Sequence, residues 1–227
     1  MLSRSLPLYE EILLLALDDD KGTSSGAGFY ANAMGGAILA ELAMTGAITI
    51  DDDKKKRVSA GRRTRLDDPL LDECLALVTE AKKPKKAAEW VAKFAHVKDL
   101  KNRAARQLVA KGVLTEETDT VLMVFKRTVY PEADGGPEKD LRERMKKAIF
   151  TATTNVEPRT VVIIAMAQAA GMLGKVFPKK KLKERKKRIE QLTSGQLAGK
   201  ATKEAVQAVK AAIMVATIMP AVFVATN

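Results

Sequence analysis

The stretch RTVVIIAMAQAAGMLGKV, residues 159–176, decides the fold. It reads as a helix that is apolar nearly all the way round. A helix with no polar face has to be enclosed by other elements, so 159–176 is the expected centre of the molecule. The flanking segments read as its wrapping. A Pro/Gly/Glu-rich break at 130–138 leads into a basic amphipathic helix over 139–150. A second basic helix is expected over 181–192, and a last helix begins near Lys203 after a Gly/Ser loop. The uncharged stretch 211–226 is shorter than the ~20 residues of a membrane-spanning helix and is interrupted by Pro220, which favours a buried terminal helix over a membrane-dipping tail.

The N-terminal half follows the same logic. LYEEILLLAL (8–17) forms a helix with Pro7 at its start and acids in its first turn, ended by Asp18 to Gly22. The opening segment 1–17 is not a signal peptide, because its apolar run is broken by Pro7, Glu10 and Glu11. A Gly/Ser-rich loop to about Gly28 precedes a helix from Tyr30 to Met44 that closes at Gly46. AITI (47–50) and a charged turn over 51–57 suggest a hairpin, and further helices are expected at 69–80 and 87–95. LAMTGAIT (42–49) recurs as LVAKGVLT (108–115), each a helix that stops at glycine and leads into a strand. The second strand pair is expected at 112–115 and 120–127, with 116–119 as its turn. Two helix-then-hairpin units resemble winged-helix building blocks. The whole, residues 1–227, is expected to be one mainly α domain with short β-hairpins, one of them projecting. Composition agrees, with 46% hydrophobic residues but only 4% aromatic, a balance suited to helix packing over a sandwich or barrel.

Catalytic chemistry finds little support. His96 is the only histidine and Cys74 the only cysteine, which excludes a His-rich metal site and an intrachain disulfide. The pair reads as a structural thiol and a surface imidazole. Asp18–Asp20 and Asp51–Asp53 abut lysines where elements give way to turns, so they read as solvated turns and not cation sites. GTSSGAG (22–28) lacks the Gly-Lys-Ser/Thr ending of a phosphate loop and follows a helix where that motif follows a strand. No cofactor is expected, and the chain is read as a binding protein, not an enzyme.

Charge is more informative. The formal net charge is +11, from 39 Lys and Arg against 28 Asp and Glu. KKKLKERKKR (179–188) is basic at every position but Leu182 and Glu184. Further clusters are Lys82, Lys83, Lys85 and Lys86, then Arg57, Arg62, Arg63 and Arg65, then Lys98, Lys101, Arg103 and Arg106. Together they point to an anionic partner: membrane lipid, nucleic acid or an acidic protein. For DNA, the helix before the second hairpin has only Asn102 and Gln107 as base readers, and aromatics for stacking on single strands are few.

YEEILLLALDDDKGT, GGAILAELAMTGAITI and LVAKGVLTEE, in this order along the chain, resemble the Golgi phosphoprotein 3 family. The resemblance implies a mainly α-helical domain around a buried central helix, with a projecting hairpin that can mediate self-association. It implies no enzymatic activity. It also implies a peripheral protein at the cytosolic face of a membrane that binds phosphatidylinositol 4-phosphate and recognises cytosolic protein tails as cargo. Eukaryotic members build the lipid site from a loop Trp after the first helix, an Arg before the Gly of G-x-x-L-x-E-L-A, and two basics one helical turn apart. The two basics fall on Lys98 and Lys101, with Arg103 beside them. The Arg position is Gly35, and the Trp position falls near Gly26 in a loop without Trp, where Phe29 and Tyr30 are the nearest membrane-facing substitutes. These departures and the short termini suggest a prokaryotic-type member. The oligomerisation hairpin would comprise Gly112, Val113, Leu114, Val121, Leu122 and Phe125. The resulting expectation is a peripheral membrane-binding adaptor, with protein cargo and a homo-oligomer as further partners and nucleic-acid binding as the alternative.

Overall fold

The computed structural model describes residues 5–17, 29–51, 56–121, 125–194 and 196–197. Two helices share the centre where the sequence points to one. Helix α1 (Leu8–Ala16) is buried along its whole length, and α7 (Pro158–Ala169) is buried from Thr160 to Ala167. Helix α2 (Phe29–Met44) packs against both, and its far side lies on α4 (Ala87–Ala95). Around them stand α3 (Pro69–Thr79), α5 (Leu100–Ala110) and α6 (Gly136–Phe150). The described buried apolar side chains, Val129 of the second hairpin apart, form one contiguous cluster. The architecture is therefore mainly α with two small antiparallel sheets, as expected.

The central stretch is not one helix through residue 176. It stops at Ala169, and a short α8 (Leu173–Val176) follows. Gly171 has φ +68, and Met172 N–H donates back to the Ala167 carbonyl at 2.8 Å, the hydrogen bond of a Schellman stop. Gly46 (φ +72) and Gly112 (φ +74) end α2 and α5 in the same way, through Ala47 N–H to Leu42 and Val113 N–H to Leu108. The two copies of the repeated octapeptide thus share a real helix stop. The basic helix expected over 181–192 is likewise two pieces, α9 (Lys179–Glu184) and α10 (Lys186–Thr193). Arg188 donates through Nε to the Ala148 carbonyl at 3.0 Å, and Arg185 through Nη2 to Phe150 at 3.3 Å. Two cations of the run therefore cap the C-terminal end of α6. The last helix expected from Lys203 and the uncharged stretch 211–226 lie outside the described residues.

Both hairpins exist, with one correction each. In the first, β1 (Ile48–Ile50) pairs with β2 (Arg57–Ala60), and a third strand, β3 (Lys85–Lys86), adds to β2. Two lysines carry no strand signal, so β3 was not foreseen. In the second, the strands are β4 (Glu117–Val121) and β5 (Phe125–Val129), with Glu117 opposite Val129 and Val121 opposite Phe125. The expected turn at 116–119 is mostly strand, and the two strands flank 122–124, which lie outside the described residues. The polar run misled because this ribbon is wet: Glu117, Thr118, Lys126, Arg127 and Thr128 are all exposed. Gly112, Val113 and Leu114 form no strand of it. Val113 and Leu114 are buried, and Leu114 makes an isolated bridge to Glu132 at the ribbon's root. The second unit therefore lacks the direct helix-to-strand passage of the first.

Candidate functional site

The basic residues singled out around 98–103 sit where α4 turns into α5. Asp99 caps this turn in a left-handed conformation (φ +57), which Asp tolerates better than most side chains. Its carboxylate accepts from Asn102 Nδ2 at 2.5 Å and from Arg106 Nη1 at 3.4 Å. Arg103 pairs with Glu73 of α3 at 2.5 Å and donates to the Lys98 carbonyl at 3.4 Å. Arg103 therefore braces the turn that carries Lys98. Arg106 reaches Asp99 and Glu116, and Arg127 pairs with Asp119 at 2.5 Å. Lys98 and Lys101 have no carboxylate partner among the described residues. Lys98 is exposed. Lys101 is half-buried, and its ammonium titrates below the usual lysine range because burial desolvates it and Arg127 repels it. An oxyanion bound here would offset both effects by favouring the charged ammonium.

Gly35 occupies a tight crossing of α2 over α4. A Cβ there would lie 2.5 Å from the Val91 carbonyl oxygen and 2.9 Å from the Ala95 nitrogen. The backbones touch, so this position cannot present an arginine without the helices separating. Tyr30 is half-buried against the core, and Gly26 and Leu122 lie outside the described residues. Val121 and Phe125 close the described part of the ribbon as its last paired residues.

A second set of charged groups escaped the sequence reading because it is internal. Glu10 and Glu11 look like first-turn acids facing solvent but are buried. Glu10 takes Lys111 Nζ at 2.5 and 2.6 Å, and Glu11 takes Arg144 at 2.6 Å. Glu41, the acid of the ELA segment, accepts the Leu8 N–H at 2.7 Å and Arg159 Nη1 at 2.9 Å, while Arg159 Nη2 donates to the Leu6 carbonyl at 2.5 Å. The Tyr9 hydroxyl donates to Asp68 at 2.6 Å, and Asp68 also caps α3 through the Leu70 and Leu71 N–H groups. These contacts tie α1 to α2, α3, α5, α6 and α7. The only hint in the sequence was two adjacent acids inside an otherwise apolar helix.

The model of the family described as Golgi phosphoprotein 3 (GPP34) matches residues 8–209. The chain belongs to this family. A similar protein is the vacuolar protein sorting-associated protein 74 of Eremothecium gossypii, 26% identical over 76% of this chain and 62% of its own length. The chain thus spans less than two thirds of that relative. In this Golgi phosphoprotein 3-family chain, α1 and the ELA helix are where the buried ion pairs lie. Cys74 is buried, and its thiol is pushed up to about 12 by burial, which makes it a poor nucleophile. His96 is exposed, with Nδ1 at 2.7 Å from the Ala92 carbonyl. Among the described residues no group of three or more His, Cys, Asp or Glu is placed to hold a metal ion, and no helix is long and apolar enough to cross a membrane.

Glu10 has a measurable consequence. Burial, only partly offset by Lys111, raises its carboxyl to about 7 from an ordinary 4.5. Glu11 moves in the same direction, also by burial. A carboxyl raised on folding favours the native state while protonated, so its contribution is full below pH 4.5 and fades as pH rises through 7. Native stability is expected to fall by about 3 kcal/mol from this source between pH 5 and pH 8. Urea unfolding across that window should show the decline, and Glu10→Gln should flatten it.

Proposed function

We propose that this chain is a peripheral membrane-binding adaptor, one domain over 1–227, that docks on anionic lipid headgroups at the cytosolic face through the α4–α5 turn. The carrying observation is selective pairing. Arg103, Arg106 and Arg127 around the turn all have carboxylate partners. Lys98, in the turn before α5, and Lys101, in the first turn of α5, are left free of one among the described residues, and Arg103 holds the turn in place. Because Asp99 between them is left-handed, they do not share the helical face that their i, i+3 spacing suggested. Two unneutralised ammonium groups on a rigid turn suit a phosphate oxyanion. Helix α9 adds a largely exposed lysine run whose long-range field would favour the same surface.

Headgroup selectivity is a separate matter. With glycine at 35 flush against α4 and no tryptophan near Gly26, the bidentate contact and the interfacial anchor of eukaryotic members have no counterpart. Binding is therefore expected to follow bulk headgroup charge. Self-association would use the far end of the ribbon, Val121, Leu122 and Phe125, since buried Val113 and Leu114 have no surface to offer a partner. Cargo recognition would fall elsewhere on the surface.

Co-sedimentation tests this reading with vesicles of phosphatidylcholine alone or with phosphatidylserine, cardiolipin or phosphatidylinositol 4-phosphate. At about 0.15 M salt, the three anionic compositions are expected to pellet the protein within about tenfold of one another at matched charge. Neutral vesicles should leave it in solution. Failure to pellet with any anionic composition would overturn the lipid reading.

A further inference from the structure

The lysines at 82–86, conspicuous in the sequence, have no part in the lipid-facing turn. Three of them, Lys82, Lys83 and Lys85, rim a shallow groove of about 560 Å³ between the C-terminal end of α3 and α4. Leu77 and Ala81 line it as apolar residues, Lys82, Lys83, Lys85 and Lys93 surround them, and Glu80 is the single acid in the lining. Lys85, from β3, and Lys93, from α4, lie over the same indole: their ammonium nitrogens are 5.8 and 5.2 Å from the Trp90 ring centroid. Trp90 itself is fully buried, stacked on Phe94, with no acceptor for its Nε1–H among the described residues. The nearby Glu89 carboxylate accepts the Lys86 backbone N–H at 3.2 Å. None of the four rim lysines has a carboxylate within ion-pair distance among the described residues.

Cation–π attraction gathers two like charges over one ring, and no described carboxylate lies within ion-pair distance of either. An anionic occupant would do so. The groove's form narrows what that occupant is. A bilayer surface is flat and meets the lysine rim only, whereas a peptide can set an apolar side chain on Leu77 and Ala81 while flanking carboxylates reach the rim. We propose that this groove docks an acidic segment of a protein partner, one with an apolar side chain set among its carboxylates. The site shares no residue with the Lys98–Lys101 turn, so partner and membrane could be held together.

Trp90 is the chain's one tryptophan and, although buried, lies under Lys85 and Lys93, so its fluorescence reads a change at those two rim residues. The probe is a short synthetic peptide of glutamates interspersed with leucines, compared with its glutamine analogue. The glutamate peptide is expected to change Trp90 emission saturably, and the glutamine analogue to leave it unchanged. Lys85→Gln/Lys93→Gln should weaken binding about tenfold. Lys82→Gln/Lys83→Gln, on the same rim, should weaken it comparably. Lys98→Glu/Lys101→Glu should alter it by no more than about twofold at about 0.15 M salt. Circular dichroism verifies that each variant is folded. The proposal is overturned if no saturable response appears, if the Lys98/Lys101 variant weakens binding as much as the groove variants, or if phosphatidylserine vesicles or inorganic phosphate move Trp90 emission while the peptide does not.

Discussion

Arg159→Ala is expected to destabilise the protein by about 3–5 kcal/mol, far more than any loss of a surface charge. Arg159 stands at the first turn of α7 with its side chain 14% exposed, and Glu41 on α2 is 9% exposed. Removing the guanidinium leaves the Glu41 carboxylate buried with only the Leu8 N–H, and leaves the Leu6 carbonyl without its donor. The damage therefore reaches the entry to α1 as well as the α2–α7 contact. The exposed pair Lys146–Glu143 provides the comparison, with side chains 58% and 60% exposed. Lys146→Ala should cost no more than about 0.5 kcal/mol. Urea denaturation of the two variants at one pH separates them. Comparable losses would mean that the internal ion pairs do not organise the helices.

Gly35→Arg is expected to destabilise the fold and to leave phosphoinositide selectivity absent, although it places the residue of eukaryotic members at the aligned position. An added Cβ meets backbone, the Val91 carbonyl at 2.5 Å, and backbone cannot rotate away as a side chain can. The helices must part, at about 1–3 kcal/mol or more for overpacking, against about 1 kcal/mol recovered from the lower helix propensity of glycine. Gly35→Ala isolates the steric effect, and arginine adds the bulk of the side chain. Unfolding midpoints together with vesicle pelleting check both halves. A stable Gly35→Arg protein that prefers phosphatidylinositol 4-phosphate would show that α2 and α4 separate easily and that only the side chain was missing.

What the sequence revealed follows from which signals are local. Helix α1 was legible from Pro7 and its first-turn acids and α2 from Gly46 as a stop, and the repeat at Gly112 marks the same Schellman turn. Gly171 uses that turn as well but lies between apolar residues on both sides, so nothing in the pattern distinguishes a stop from a small residue in a buried helix. The ribbon's turn was misplaced because exposed strands look like loops when both faces are wet. In the site, the i, i+3 spacing of Lys98 and Lys101 suggested a shared helical face, but left-handed Asp99 puts Lys98 before the helix, and the partners of their neighbours were not visible. Glu73, Asp119 and Glu116 are supplied by other elements, and only folding shows which cations they neutralise. The Glu10, Glu11 and Glu41 pairs were hidden for the same reason, since each partner lies far along the chain.

The most direct test of the lipid-docking account compares two charge-reversed pairs on phosphatidylserine vesicles at about 0.15 M salt. Lys98→Glu/Lys101→Glu alters the proposed site, and Lys180→Glu/Lys181→Glu makes the same net change on exposed α9. The account predicts that the first pair weakens pelleting about a hundredfold or more, from about 1 kcal/mol for each charge removed or reversed at the surface, and that the second weakens it several-fold less. Equal losses from the two pairs, or undiminished pelleting of the Lys98/Lys101 variant, would contradict it.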